Sequence, residues 1–166
     1  MKIKKKSTQI QGFPKDYKLI VTQTEQKNTT APAITYSDCY VQCCDNLDLL
    51  KSHPSESVDL IYCDILYGTG RNFGDYQDLK PIRSEIENHY LPRLIEMKRV
   101  LKQNGSIYLQ MDCKISHWMR ILMDEVFGYD NFRNEIVWCY AGGGIPKNNY
   151  PKKHDVILFY TKSNNY

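Results

Sequence analysis

Asp64 and Tyr67 are the residues whose types and spacing could support chemistry. They close the segment DLIYCDILY (59–67), and glycines follow at 68, 70 and 74. The stretch VDLIYC (58–63) is a largely apolar run bounded by turn signals, which predicts a strand buried on both faces. An ionised carboxylate only accepts hydrogen bonds, and a phenol ring offers a flat face. At the end of a buried strand the two would share the mouth of a sheet. These residues alone leave a second reading open, in which Asp64 caps a turn and Tyr67 packs onto the core.

Other candidates are weaker. Asp45 follows an apolar stretch in CCDNLDLL, where it suits a helix N-cap. His154 and Asp155 are adjacent and read equally as a surface pair. The cysteines at 39, 43, 44, 63, 113 and 139 form no C-x-x-C pair and have no zinc-finger spacing. They read as buried, reduced thiols in a cytoplasmic core, and no metal is expected. Net charge is +3, with lysines crowded at 2, 4, 5 and 6 and again at 147, 152 and 153. Both clusters suit phosphate contact or plain solvation.

The elements that must position these groups follow from the apolar pattern. A chain of 166 residues with 42% hydrophobic and 25% charged residues suits one compact domain. No apolar run reaches the roughly 18 residues that cross a bilayer, and no secretory signal follows the basic start; a cytoplasmic protein with no membrane partner is expected. Residues 1–35 read as a basic, poorly ordered extension with one short strand at YKLIVTQ. Strands are predicted at 37–44, 58–63, 106–111, 135–140 and 156–161. A short helix should run from Asp45 or Asn46 to Leu50. A long helix from about 83 to 102 carries Ile86, Tyr90, Leu94, Met97 and Leu101 as its buried stripe, with Asn104–Gly105 as its stop. A second, 115–127, carries Trp118, Leu122 and Val126. Alternation of strands and helices predicts an α/β fold with a mostly parallel sheet, and the last two strands, with no helix between them, should pair antiparallel. Ligands on such sheets bind beyond the carboxyl ends of the strands.

The sequence Asp64-Ile65-Leu66-Tyr67-Gly68-Thr69-Gly70 resembles the D-P-P-Y and N-T-G signature of the DNA amino-methyltransferases, in the permuted class that includes type III restriction–modification enzymes. NFGDYQD (72–78), RLIEMKRVLKQNGSIYLQMD (93–112), LMDEVFGYDNFRNEIVWCY (122–140) and KKHDVILFYTKS (152–163) resemble the family's further blocks in the same order. The likeness covers roughly 36–163. It implies an incomplete Rossmann-like methyltransferase fold and methyl transfer from S-adenosylmethionine to a base flipped out of double-stranded DNA. It further implies that Asp64 and the carbonyl of Ile65 accept from the target amino group, with Leu66 completing the motif. Tyr67 would stack on the base, Gly68, Gly70 and His154 would line the substrate side, and Asp45 and Asp64 would meet the cofactor. Aspartate at 64 resembles the adenine-N6 subset more than the cytosine-N4 subset. Both prolines of the motif are replaced, by Ile65 and Leu66. Proline stiffens such a turn, so either burial and the glycines hold the loop here or the site is degraded.

The family's cofactor motif, F-x-G-x-G, is absent. Gly142-Gly143-Gly144 is followed by IPKNNYP, whose prolines prevent the helix that a cofactor-cradling glycine loop needs. The expectation is therefore residues 36–163 as the N-terminal, catalytic part of a methyltransferase domain, cut before the target-recognition region and the cofactor glycine motif. Its cofactor site would be incomplete. Its partners would be DNA, a downstream chain supplying F-x-G-x-G, and a restriction subunit. An inactive remnant that binds DNA or a partner chain is the alternative.

Overall fold

The computed structural model describes residues 5–8, 19–22, 42–74, 76–142, 144 and 146–166. The chain divides into two units, Met1–Gln42 and Cys43–Tyr166. In the first, β1 (Lys5–Thr8) pairs antiparallel with β2 (Leu19–Thr22), which falls within the strand expected at YKLIVTQ. The rest of the expected extension, and residues 37–41 of the strand expected at 37–44, lie outside the described residues. Gln42–Cys44 carry no regular structure.

The second unit runs α1 (Asn46–Ser52), β3 (Val58–Asp64), α2 (Arg83–Val100), β4 (Leu101–Asp112), α3 (Ser116–Phe127), a 3-10 turn (Tyr129–Asn131), β5 (Phe132–Cys139) and β6 (His154–Thr161). Its sheet has the order β3-β4-β6-β5. β3 is parallel to β4, and β6 runs antiparallel to both β4 and β5. Three strands therefore share one direction and the last two pair antiparallel, as the apolar pattern implied.

Ile107, Leu109 and Met111 of β4 and Val156, Leu158 and Tyr160 of β6 are buried. Alternation along a strand puts each set on one face, where it forms a single core with Ile86, Tyr90, Leu94 and Met97 of α2 and Met119, Leu122, Met123 and Phe127 of α3. The stripe of α2 matches the expected one at Ile86, Tyr90, Leu94 and Met97; Leu101, expected as its last member, is buried but begins β4, and Val100 ends the stripe. That of α3 is rotated: Met119 and Met123 join Leu122 in the core, while Trp118 and Val126 are only half-buried.

Three expectations are corrected. β3 is not buried on both faces: Leu60 is 58% and Tyr62 57% exposed. The helices of this unit cover one side of the sheet, and apolar character alone does not supply a layer for the other. Asn104–Gly105 is not the stop of α2, which ends at Val100 with the Leu101 N–H bonded to the Met97 carbonyl. Gly105 lies inside β4, where a Cβ would stand 3.0 Å from the Lys102 carbonyl oxygen and 3.1 Å from that of Asp59. Among the described residues the cysteines are not a buried set: Cys43, Cys44 and Cys139 are exposed, and Cys63 and Cys113 are half-buried; Cys39 lies outside the described residues. Among the described residues no helix is long and apolar enough to cross a membrane.

Candidate active site at the end of strand β3

β3 ends at Asp64, whose register partner is Gln110 of β4. The chain then turns over the top of the sheet. Ile65 is 6% exposed and packs into the core, and its N–H donates to the Gln110 carbonyl at 3.1 Å. Burial of this large apolar side chain anchors the position where the family's motif carries its first proline. Tyr90 of α2 donates its hydroxyl to the Leu66 carbonyl at 3.4 Å.

Two glycines let the loop reverse. Gly68 has φ +64°, a left-handed conformation that costs other residues about 1–2 kcal/mol. A Cβ there would also lie 2.7 Å from Ile115 Cγ2. Gly70 has φ +69°. The chain then folds back on itself: the Gly70 N–H donates to the Leu79 carbonyl at 2.8 Å, and the Asp78 N–H to the Arg71 carbonyl at 2.9 Å. This return places the carboxylate of Asp78, 3% exposed, beneath the loop. There it accepts the backbone N–H groups of Gly68 (3.2 Å) and Thr69 (2.7 Å) and the Thr69 hydroxyl.

The result is a cavity of about 400 Å³ lined by Asp64, Ile65, Leu66, Tyr67, Thr69, Phe73, Tyr76 and Asp78. That lies within the size range of small-molecule sites, roughly 300–1,000 Å³. Asp64 is exposed at the rim and Tyr67 is half-buried. Phe73 and Tyr76 stack on each other with ring centres 5.0 Å apart and 20° between planes, each 51% exposed. The cavity thus joins one free-facing carboxylate to several aromatic surfaces.

Behind it lies a polar cluster on the sheet. The Tyr67 hydroxyl donates to Asp155 Oδ2 at 3.0 Å. Gln110 Nε2 donates to the Tyr67 oxygen at 3.1 Å and to Asp155 Oδ2 at 3.0 Å. The Tyr62 hydroxyl donates to Gln110 Oε1. The Tyr67 phenol is held well above the ordinary tyrosine range, chiefly by burial, with the Asp155 hydrogen bond and the charges of Asp64 and Asp155 adding to it. It is a neutral donor. Burial pushes the Cys63 thiol up to about 11, with the Asp64 charge adding, so no thiolate stands beside the site.

All four residues of the Asp64–Tyr67 motif line this one cavity. Gly68 and Gly70 shape the loop without lining it. Asp45 is also outside it. There the carboxylate caps α1 by accepting the Leu47 N–H at 2.8 Å and pairs with Arg93 Nη2 at 2.8 Å. These contacts, the Leu47 N–H foremost, hold its carboxyl below the usual range. His154 is half-buried, pairs with Cys139, and by strand alternation points away from Asp155. Among the described residues no cluster of His, Cys, Asp and Glu could hold a metal. Sequence reasoning missed Asp78 altogether and passed over Asp155 for its neighbour. The only signal for Asp78 was an acidic residue closing the NFGDYQD segment.

A family model described as DNA methylase, of the N6/N4 type, matches residues 58–166. The type II methyltransferase M.KpnI of Klebsiella pneumoniae is 34% identical over 151 residues, covering 84% of this chain and 36% of that protein. The DNA adenine methyltransferase YhdJ of Escherichia coli strain K12 is 31% identical over 120 residues, covering 71% and 39%. The chain thus spans little more than a third of these relatives. Among solved structures, the PvuII DNA methyltransferase (cytosine-N4-specific) superposes with a TM-score of 0.52 at 18% identity, over 72% of this chain and 48% of that one. This last likeness concerns the fold alone.

Proposed function

The chain belongs to the N6/N4 DNA methylase family, and from that premise we propose that it carries the base-binding centre of a DNA methyltransferase acting on the exocyclic N6 of adenine. The observation that carries this reading is the single cavity lined by Asp64, Ile65, Leu66 and Tyr67.

An exocyclic amino group reacts as a nucleophile when its lone pair is freed from the ring and aimed at the methyl carbon. The Asp64 carboxylate accepts one amino N–H, and the backbone carbonyl of Ile65 accepts the other. Both are acceptors, matched to a group with two donors. Held this way the nitrogen is drawn toward a tetrahedral geometry, and placing the two reactants supplies much of the rate. The ring of Tyr67 stacks on the flipped base, replacing part of the stacking lost from the duplex.

S-adenosylmethionine supplies the methyl group. Transfer would form the new N–C bond as the S–C bond breaks, leave a neutral thioether, and release one proton from the amino nitrogen to solvent past the exposed Asp64 carboxylate. The residues present fit a cationic donor: the exposed Asp64 carboxylate and the Tyr67 ring both favour positive charge at the rim. Asp45 caps α1 and pairs with Arg93 while half of its side chain stays exposed, which leaves it able to meet the cofactor as well.

Adenine is favoured by aspartate at 64 and by likeness to a relative named as a DNA adenine methyltransferase. The test uses the protein as its gene encodes it, together with any downstream product of the same locus. It is incubated with labelled S-adenosylmethionine and unmethylated DNA, and the DNA is digested to nucleosides. Label in N6-methyladenine supports the proposal. Label only in N4-methylcytosine overturns the choice of base, and no label with folded protein overturns the activity.

A further inference from the structure

Resting on that reading, we propose that Asp155 is a positioning residue that fixes the Tyr67 ring for stacking through the phenol oxygen. Asp155 lies 88 positions along the chain from Tyr67, and they meet across β4 through Gln110. It is 7% exposed. Its carboxylate is reached by three neutral donors: the Tyr67 hydroxyl at 3.0 Å, Gln110 Nε2 at 3.0 Å and the Tyr140 hydroxyl at 3.4 Å. Among the described residues no ion pair involves it.

A buried carboxylate without a cation is expensive, and buried charge is a poor means of adding stability. What it supplies is direction. An acceptor-only group at the end of a hydrogen-bond chain forces every proton to point toward it. Tyr62 donates to the side-chain Oε1 of Gln110, which leaves Gln110 Nε2 to donate to Tyr67 and Asp155. The Tyr67 oxygen receives one proton and sends its own to Asp155. At its other end, Tyr67 leaves the sheet beside Gly68, whose N–H is held by Asp78. The ring is thus secured at the backbone and at the hydroxyl, and its plane is set before a base arrives. Less side-chain freedom then has to be lost on stacking.

Two measurements test this, and they fail separately. The first needs no DNA. The protein is labelled with ¹³Cζ-tyrosine and observed by NMR in equal H₂O and D₂O, with the Tyr67 line identified by its loss in Tyr67→Phe. A hydroxyl held by Asp155 exchanges slowly and splits that line in two. Asp155→Leu and Asp155→Ala, which remove the acceptor, should each collapse the pair while the thermal transition stays cooperative. A pair that survives both substitutions, or is absent from the unaltered protein, overturns the proposal. If Asp155→Ala does not fold, Asp155→Leu, which keeps the volume, carries both measurements.

The second is a double-mutant cycle on methyl transfer. Asp155→Ala and Tyr67→Phe should each lower kcat/KM by about tenfold, the scale of a hydrogen bond to a charged group. The double variant should be no worse than either alone. A double variant lower by the product of the two losses overturns the proposal, because Asp155 would then act by another route. If the unaltered protein transfers no methyl group, the functional reading fails, while the NMR pair still decides whether Asp155 holds Tyr67.

Discussion

The carboxylate of Asp78 accepts the backbone N–H of Thr69 at 2.7 Å, nine positions back along the chain. The same side chain takes the Gly68 N–H and the Thr69 hydroxyl. It constrains the loop from outside, where proline would constrain it from within. The family's motif carries two prolines here; this chain has a buried Ile65, two left-handed glycines and a buried acid. Removing Asp78 leaves two loop N–H groups without their acceptor, each costing about 1–3 kcal/mol where water cannot reach it. Only the Gly68 N–H is fully buried, the Thr69 N–H being half-buried, so Asp78→Ala should lower stability by about 1–3 kcal/mol in chemical denaturation. It should also reduce methyl transfer at least tenfold.

Gly68 and Gly74 separate two causes of strain. Both have positive φ, +64° and +87°. A Cβ at Gly68 meets Ile115 Cγ2 at 2.7 Å, whereas one at Gly74 meets nothing within 4 Å. Gly74→Ala should therefore cost about 1 kcal/mol, from conformation alone. Gly68→Ala should cost clearly more, because a core side chain must also move. Denaturation midpoints of the two variants, compared at equal slope, check the ordering.

Phe73 and Tyr76 present a stacked, half-exposed aromatic pair on the wall of the cavity. If this wall meets the base or its neighbour, Tyr76→Ala should weaken DNA binding by about 1–3 kcal/mol, the usual worth of one base–aromatic contact. Because Tyr76 is exposed, stability should change by no more than about 0.5 kcal/mol. A fluorescence-anisotropy titration beside a thermal melt tests both halves of the statement.

The pH dependence of stability should have a component from His89. Burial, with the Arg93 charge adding and the Asp45 charge opposing, holds its ring below the ordinary value of 6.5. As pH falls the unfolded chain takes up this proton first, so stability is full above about 6.5 and declines below it until the folded ring also protonates. Asp45 works in a lower window: its depressed value makes its contribution present above 3.8 and lost as pH falls further. His89→Gln should remove the upper decline and leave the lower one. Urea denaturation at pH 7.5 and 5.5 checks this.

Much of the fold was legible because burial follows spacing. The stripe Ile86, Tyr90, Leu94, Met97 marked α2, and the lack of a helix between β5 and β6 marked their antiparallel pairing. Asp64 and Tyr67 were legible because a strand ended where they began. What escaped depends on partners remote in sequence. Gly105 looked like a helix stop, yet it lies inside a strand where a Cβ would stand 3.1 Å from the Asp59 carbonyl oxygen. Leu60 and Tyr62 look like core residues, and only the sheet's layering shows that they are exposed. Asp78 and Asp155 owe their places to backbone reversals and strand register, which no local pattern encodes.

In the proposed mechanism Asp64 holds the reacting amino group. Asp64 is exposed at the strand end, so Asp64→Ala should leave stability within about 0.5 kcal/mol and DNA affinity nearly unchanged. Single-turnover methyl transfer to DNA is the direct measurement, made with the protein and any partner product of its locus. A fall of at least about a hundredfold is expected, the scale set by removing one preorganised group from a reacting centre. Transfer within threefold of the unaltered protein would contradict the mechanism.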